Sequence, residues 1–215
     1  IITSSIEHPA VLNPCKHLEE QGYRISYLPV NEDGIVQVEE LERIITAHTV
    51  LVSVMLANNE TGTIQPLEEI SRICRRHQVL LHTDASQAIG KIPVLVNELG
   101  VDFLTIAGHK LYAPKGIGAL YIRKNIVIEP LIHGAGHESG RRAGTENVIF
   151  DVALGKACEI AKENLNDSTV KELTDYFYLE LQRIFGEKIH LNGNPVKKLP
   201  NTLKDRKSTR LNSSH

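Results

Sequence analysis

Three stretches decide the fold: VLVSVML at Val50–Leu56, VLLHT at Val79–Thr83 and FLTI at Phe103–Ile106. Each is a short, nearly continuous apolar run, the pattern of a strand covered on both faces. Strands of that kind pair in parallel and are joined by helical crossovers. The sequence between and around them supplies the helices. Leu67, Ile70, Ile73 and Cys74 recur at helical spacing behind Pro66, between the first two runs. Upstream, Val38, Leu41, Ile44 and Ile45 form a second stripe with charges between them. Pro9–Gln21 reads as a helix stopped by Gly22, and Ile1–Ser4 and Arg24–Leu28 as strands, the latter leading into the turn Asn31-Glu32-Asp33-Gly34. Downstream, Gly118–Ile122 and Val127–Leu131 read as further strands. Helices are expected over about 148–165 and 170–185, the second with Val170, Leu173, Phe177, Leu181 and Ile184 on one face. Alternation of this kind predicts an α/β fold, a mostly parallel sheet covered by helices.

Composition sets the outer limits. Among 215 residues, 41% are hydrophobic and 23% charged, as in ordinary globular domains, and the formal net charge is −2. That balance gives no footprint for a nucleic acid, and no apolar run nears the roughly 18 residues of a membrane span. The three cysteines, Cys15, Cys74 and Cys158, form no CxxC. This spacing disfavours a disulfide framework and suits a reducing compartment, cytoplasm or an organelle matrix. His133 and His137 are four apart, but the intervening Gly-Ala-Gly opposes a helix that would align them, and no third ligand is evident, so no metal is expected. Gly134, Gly136 and Gly140 are spaced GxGxxxG, which is not the dinucleotide fingerprint.

Both ends read as interrupted. The chain opens on Ile1 inside an apparent strand, so earlier parts of the domain, and any targeting segment, are expected to be missing. Residues 205–215 read DRKSTRLNSSH, a string that codons of a common sequencing-library adapter would encode, and they are set aside as an adapter-derived tail. The expected division is a large domain over 1–186 with its long connecting helices, the start of a truncated smaller domain over 187–204, and the tail.

In open α/β sheets, ligands bind outside the carboxyl ends of the strands. Directly after the three decisive runs come Ala57-Asn58-Asn59-Glu60-Thr61-Gly62, Asp84-Ala85-Ser86-Gln87 and Ala107-Gly108-His109-Lys110. Amides, a carboxylate and a His-Lys pair would therefore converge on one crevice. A lysine beside a flexible glycine at a strand end can act as a nucleophile toward carbonyls; taken alone, it is more often a surface lysine covering apolar area. Asp84 changes that balance. An acid at a strand terminus can hold a pyridine nitrogen protonated, and acid plus lysine is the protein's contribution to pyridoxal phosphate chemistry. By itself Asp84 would read as a helix N-cap.

Taken together, Glu7-His8-Pro9-Ala10-Val11, Asn58-Asn59-Glu60-Thr61-Gly62, His82-Thr83-Asp84-Ala85-Ser86-Gln87, Gly108-His109-Lys110, Pro114-Lys115-Gly116-Ile117-Gly118-Ala119-Leu120-Tyr121 and Arg142-Ala143-Gly144-Thr145 make the chain resemble the cysteine desulfurases and selenocysteine lyases. These are class V aminotransferase-type, fold-type I enzymes dependent on pyridoxal 5'-phosphate. The resemblance runs from Ile1 to about Leu203. It implies a large-domain sheet of the seven-stranded type and removal of sulfur or selenium from L-cysteine or L-selenocysteine to give L-alanine. It implies that Lys110 is the Schiff-base lysine and the proton carrier at the substrate Cα, and that Asp84 partners the pyridine nitrogen. It implies that Gln87 and Asn59 lie near the ring oxygen and the substrate carboxylate, that His8 stacks on the ring, and that His109 is on the phosphate side. Thr145 matches a threonine that reaches the neighbouring subunit's cofactor, which implies a homodimer; a sulfur-acceptor protein is a further partner. The chain departs from the pattern at Ala107, where many members carry a phosphate-binding serine; some selenocysteine-lyase-like members have a small apolar residue there. None of the three cysteines matches the catalytic one. That residue and the arginine for the substrate carboxylate are expected after Leu203, so the 215-residue chain alone is expected to lack turnover. Another class V enzyme, or a non-catalytic scaffold, is the alternative; the joint presence of Lys110, Asp84, Gln87 and His8 speaks against the scaffold.

Overall fold

The structure, a computed structural model, describes residues 1–204 in full and the backbone of 205–207. A six-stranded sheet organises it, in the order β2-β1-β3-β4-β5-β6. The strands are β1 (Ile2–Ser4), β2 (Ser26–Leu28), β3 (Leu51–Ser53), β4 (Leu80–Asp84), β5 (Phe103–Ala107) and β6 (Gly118–Ile122). All neighbours are parallel except β5 and β6. The exception arises from chain length: the connection from Gly108 to Ile117 is too short for a crossover helix and can only return antiparallel. The other links carry α1 (Pro9–Glu20), α2 (Val38–Ile44), α3 (Leu67–Arg76) and the single turn α4 (Val96–Leu99).

Packing obeys the apolar stripes. Leu41 on α2 and Leu67, Ile70 and Cys74 on α3 are buried against Val52, Leu81 and Leu104 of the central strands. Hydrophobic transfer at roughly 25 cal/mol per Å² makes this layer the main stabilising mass of the chain. Beyond β3 the chain stays extended, and the amides of Val54 and Leu56 donate to the carbonyls of His82 and Asp84. The apolar run Val50–Leu56 is thus held along β4 nearly to its end, although only its middle is regular strand.

Two expectations change. Among the described residues the sheet has six strands, and Val127–Leu131 is not one of them. Val127 and Leu131 are 92% and 94% exposed, and Pro130 lacks the donor a ladder would need. An apolar run becomes a strand only where it pairs, and here it leaves β6 without folding back on that strand's free edge.

The second half is helical. After a distorted turn, α5 (His137–Gly140), come α6 (Val148–Glu163), which the Asn147 side chain caps at Phe150 N, and α7 (Thr169–Phe185). Neither long helix contains a buried residue. The α7 stripe keeps its predicted spacing, yet Leu173, Phe177 and Ile184 are all more than half exposed. Residues 187–204, expected to open a second module, run back to the first. Leu199 is 1% exposed within the core, and its amide donates to Gly62 O at 2.9 Å. β7 (Ile189–Leu191) pairs antiparallel with β8 (Asp205–Lys207), so the first residues of the expected tail have backbone partners. The rest of that tail, 208–215, lies outside the described residues.

Candidate active site

The carboxyl ends of β1, β3, β4 and β5 open onto one cavity of about 300 Å³. Its wall includes His8, Asn59, Asp84, Gln87, His109 and Lys110. Six of the seven residues singled out from the sequence therefore meet. The seventh, Thr145, does not: it is exposed in the loop before α6 and lies outside this cavity's lining.

Each side chain has a local cause for its position. His8 caps α1: Ala10 N–H donates to its Nδ1 at 3.1 Å, with Pro9 as the first helical residue. Because Nδ1 accepts, the neutral ring carries its proton on Nε2. Asn59 is held by its neighbour. Buried Asn58 accepts at Oδ1 from the amides of Glu60 and Thr61, and its Nδ2 donates to Ile6 O at 3.1 Å. One amide thus shapes the loop after β3 and ties it to the turn that bears His8. Gly62 ends this loop at φ +74°, where an added Cβ would sit 2.6 Å from Thr202 Cβ.

Asp84 ends β4 opposite Thr105, and its Oδ1 accepts from Ser86 N at 2.9 Å. This Asx turn swings Ser86 and Gln87 back toward the cavity. Gln87 Oε1 accepts from Lys91 Nζ at 3.2 Å. Lysine can only donate, so the Gln87 amide nitrogen is left to serve the cavity as a donor. Burial, and then the charge of Lys110, push the Lys91 ammonium below its ordinary pKa. Lys110 rides on the 3-10 turn Gly108–Leu111, which closes with Tyr112 at φ 63°. A Cβ at Gly108 would lie 2.7 Å from Ile117 O, so only glycine lets this turn press against the entry to β6.

Beneath the cavity, a polar file crosses three strands. Ser53 Oγ meets His82 Nδ1 at 2.8 Å, and His82 Nε2 meets Thr105 Oγ1 at 2.9 Å. Burial lowers the His82 pKa, with the Asp84 charge opposing, so the ring bridges the strands in its neutral form.

Sequence reasoning passed over Ser86, Thr105 and Met55, which also line the cavity. Thr105 was within reach: it precedes Ala107 by two on β5 and so shares its face. Met55 carried no signal beyond its place in an apolar run. Cys15 and Cys74 are buried and Cys158 is half-buried; none of the three lines the cavity. Burial pushes the Cys74 thiol up to about 12, which leaves it inert. No group of three potential metal ligands occurs among the described residues, His133 and His137 included.

Known proteins share this arrangement of chain. The sequence matches the aminotransferase class-V family over residues 1–203. It is 48% identical to cysteine desulfurase IscS of Dictyoglomus turgidum over 205 residues, 94% of this chain and 52% of that protein. It is 50% identical to cysteine desulfurase IscS of Methanosarcina thermophila, again over 94% of this chain and 50% of that one. Among solved structures, a NifS-like protein superposes with a TM-score of 0.89 at 43% identity, covering 94% of this chain and 56% of that chain. SspA in complex with cysteine superposes at 0.85 with 36% identity, covering 97% and 58%. The chain thus spans about half the length of these relatives. With its family match extending from the first residue to Leu203, and the fold shared with these structures, the chain belongs to the class-V aminotransferase family.

Proposed function

We propose that the protein carrying this chain is a pyridoxal 5'-phosphate-dependent cysteine desulfurase, which removes sulfur from L-cysteine and leaves L-alanine, with selenocysteine as the alternative substrate. One observation carries the reading: a lysine amine, a carboxylate, two imidazoles and two primary amides share a single cavity at the strand ends. The group fits what is present. Lys110 offers an amine for an aldehyde, Asp84 an anion for a protonated ring nitrogen, His8 a planar face, and Gln87 an amide donor for a ring oxygen. About 300 Å³ is at the small end of ligand pockets, in keeping with a compact cofactor. His109 lies on the same wall for the phosphate side, where Ala107 contributes no hydroxyl.

When bound, the cofactor supplies an electron sink that stabilises negative charge at the substrate Cα. The chain's residues do the remainder. Asp84, fixed by Ser86 N–H, would keep the ring nitrogen protonated. Lys110 would hold the cofactor through Nζ, and its amine would move the proton at the substrate Cα. His8 would offer its planar face to the ring and, with Nδ1 accepting from Ala10 N–H, Nε2–H as a second proton donor. Asn59 and Gln87 orient anionic oxygens. With no cysteine in the cavity lining, the thiol that takes up the substrate's sulfur comes from outside these walls.

Further parts of the proposal are a homodimer and onward transfer of sulfur to an acceptor protein in a reducing compartment. Exposed Thr145, away from its own cavity, is free to serve the site of a second copy. The names of the similar proteins support the desulfurase reading over other class V chemistry. The test is product analysis: the loaded protein given cysteine and a reductant should release equal amounts of alanine and sulfide. Conversion of cysteine to a keto acid instead, or none at all, would overturn it.

A further inference from the structure

Glu7 is a buried acid that none of the preceding chemistry uses. It sits between Ile6, whose carbonyl Asn58 holds, and His8, which lines the cavity. Its side chain is 5% exposed. Oε1 accepts two hydrogen bonds, from Ser4 Oγ at 2.5 Å and from Met55 N at 2.7 Å. Oε2 is fully buried and has no hydrogen-bond partner among the described residues. A core residue serving packing alone would be apolar here, because a half-satisfied carboxyl is a costly way to fill space.

The bonds have a definite geometry. Ser4 ends β1, Met55 lies just past β3, and Glu7 belongs to the turn from β1 into α1. One oxygen thereby fastens the turn that bears His8 to the stretch carrying Met55 and Ala57, so two walls of the cavity are set by one atom. We infer that Glu7 is a positioning residue of the cavity: Oε1 fixes the turn bearing His8 against the Met55–Ala57 wall, and the carboxyl stands behind that wall as a buried acid near Asp84. This rests on the cofactor reading above for its purpose, though not for its geometry.

The charge of this acid matters to its neighbours. Burial raises its pKa to about 7, the bonds from Ser4 and Met55 pull it down, and the charge of Asp84 adds to the rise. Two titratable groups face it: Asp84 at the end of β4 and the buried Cys15 thiol on α1, which burial and then Glu7 push up. The carboxyl is therefore shared between neutral and charged forms near neutral pH, and its ionisation adds negative charge beside the acid that would hold the ring nitrogen.

The experiment uses Glu7→Gln and Glu7→Ala, read by ¹⁵N resonances of the His8 ring and the Met55 amide, by equilibrium binding of pyridoxal phosphate, and by a pH titration of carboxyl infrared bands without cofactor. Glu7→Gln keeps an acceptor for Ser4 and Met55. It should leave both resonances and the binding in place while removing one carboxyl that titrates near pH 7. Glu7→Ala should move both resonances and weaken binding on the order of tenfold, the loss of about one strong hydrogen bond's worth of positioning. If Glu7→Ala does not fold, Ser4→Ala, which removes one of the two bonds, should shift the same resonances in the same direction. Unmoved His8 and Met55 signals in the folded Ala variants, equal disturbance by Gln and Ala, or no titrating carboxyl lost in Glu7→Gln would each overturn the inference. Borohydride trapping on Lys110 in the unsubstituted protein separates this from failure of the cofactor reading, since the resonances and the infrared titration need no cofactor.

Discussion

The sheet and the two long helices obey the same apolar periodicity and end in opposite states. On α2, α3 and the strands they cover the stripes reach the core, with Leu41, Leu67, Ile70 and Cys74 buried, whereas from Val148 to Phe185 no helical residue is. Periodicity tells which side of a helix wants cover; only topology tells whether cover is supplied. The cavity is built entirely by the first region, at strand ends held by the core. In the 215-residue chain taken alone, the apolar face of α7 is a surface of the kind that promotes association.

The largest effect should come from the cavity itself. In the longer protein that carries this chain, Lys110→Ala should lower turnover by at least the 10²–10⁴-fold typical of a lost general acid–base group, while the thermal midpoint of the cofactor-free protein stays put. Thermal retention with activity lost would sharpen the contrast between a site and its scaffold. Equal loss of both would mean the site is part of the core.

Within the core, Leu81→Ala should cost about 2–5 kcal/mol in urea unfolding, because the side chain is 1% exposed. The same truncation of Leu173 on α7, 62% exposed, should stay within about 0.5 kcal/mol. Comparable losses at the two positions would show that the helices are covered in solution, and the regional contrast would collapse.

The pH dependence of Glu7 is next in size. Its carboxyl is raised in the fold from 4.5 to about 7, so the folded state keeps a proton that the unfolded chain has lost between those values. Stability from this group is full below about pH 4.5, falls as pH rises, and levels off above about 7. Relative to Glu7→Gln, the unsubstituted protein should lose up to about 3 kcal/mol across that window. A difference that stays flat, or rises, would contradict a buried acid. Smallest of all, Phe177→Ser on α7 should reduce self-association in sedimentation without moving the thermal midpoint. Association that persists unchanged would place the contact elsewhere.

Much of this was legible in the sequence. The apolar runs announced β3, β4 and β5. The rule that ligands bind at strand ends was then enough to put Asn59, Asp84, Gln87 and Lys110, each just past one of those runs, in a common crevice. His8 needed the resemblance, since its run is only three residues of strand. The failures had physical causes. Val127–Leu131 has strand composition, yet it runs away from the free edge of β6, and Pro130 has no N–H to give a ladder. Glu7 stood within the quoted Glu7-His8-Pro9 motif without a role of its own, and only the fold shows Met55 N and Ser4 Oγ closing on it. Leu199 sits far along the chain from its core partners, a contact that periodicity cannot register.

The central claim is that Lys110 and Asp84 form a cofactor site on the buried sheet. Incubation with pyridoxal phosphate, reduction with borohydride and peptide mapping test it most directly. The account predicts one reduced adduct, on the peptide containing Lys110, abolished in Lys110→Ala and weakened in Asp84→Ala. An adduct on Lys91 or another lysine, or no adduct in folded protein, would contradict it.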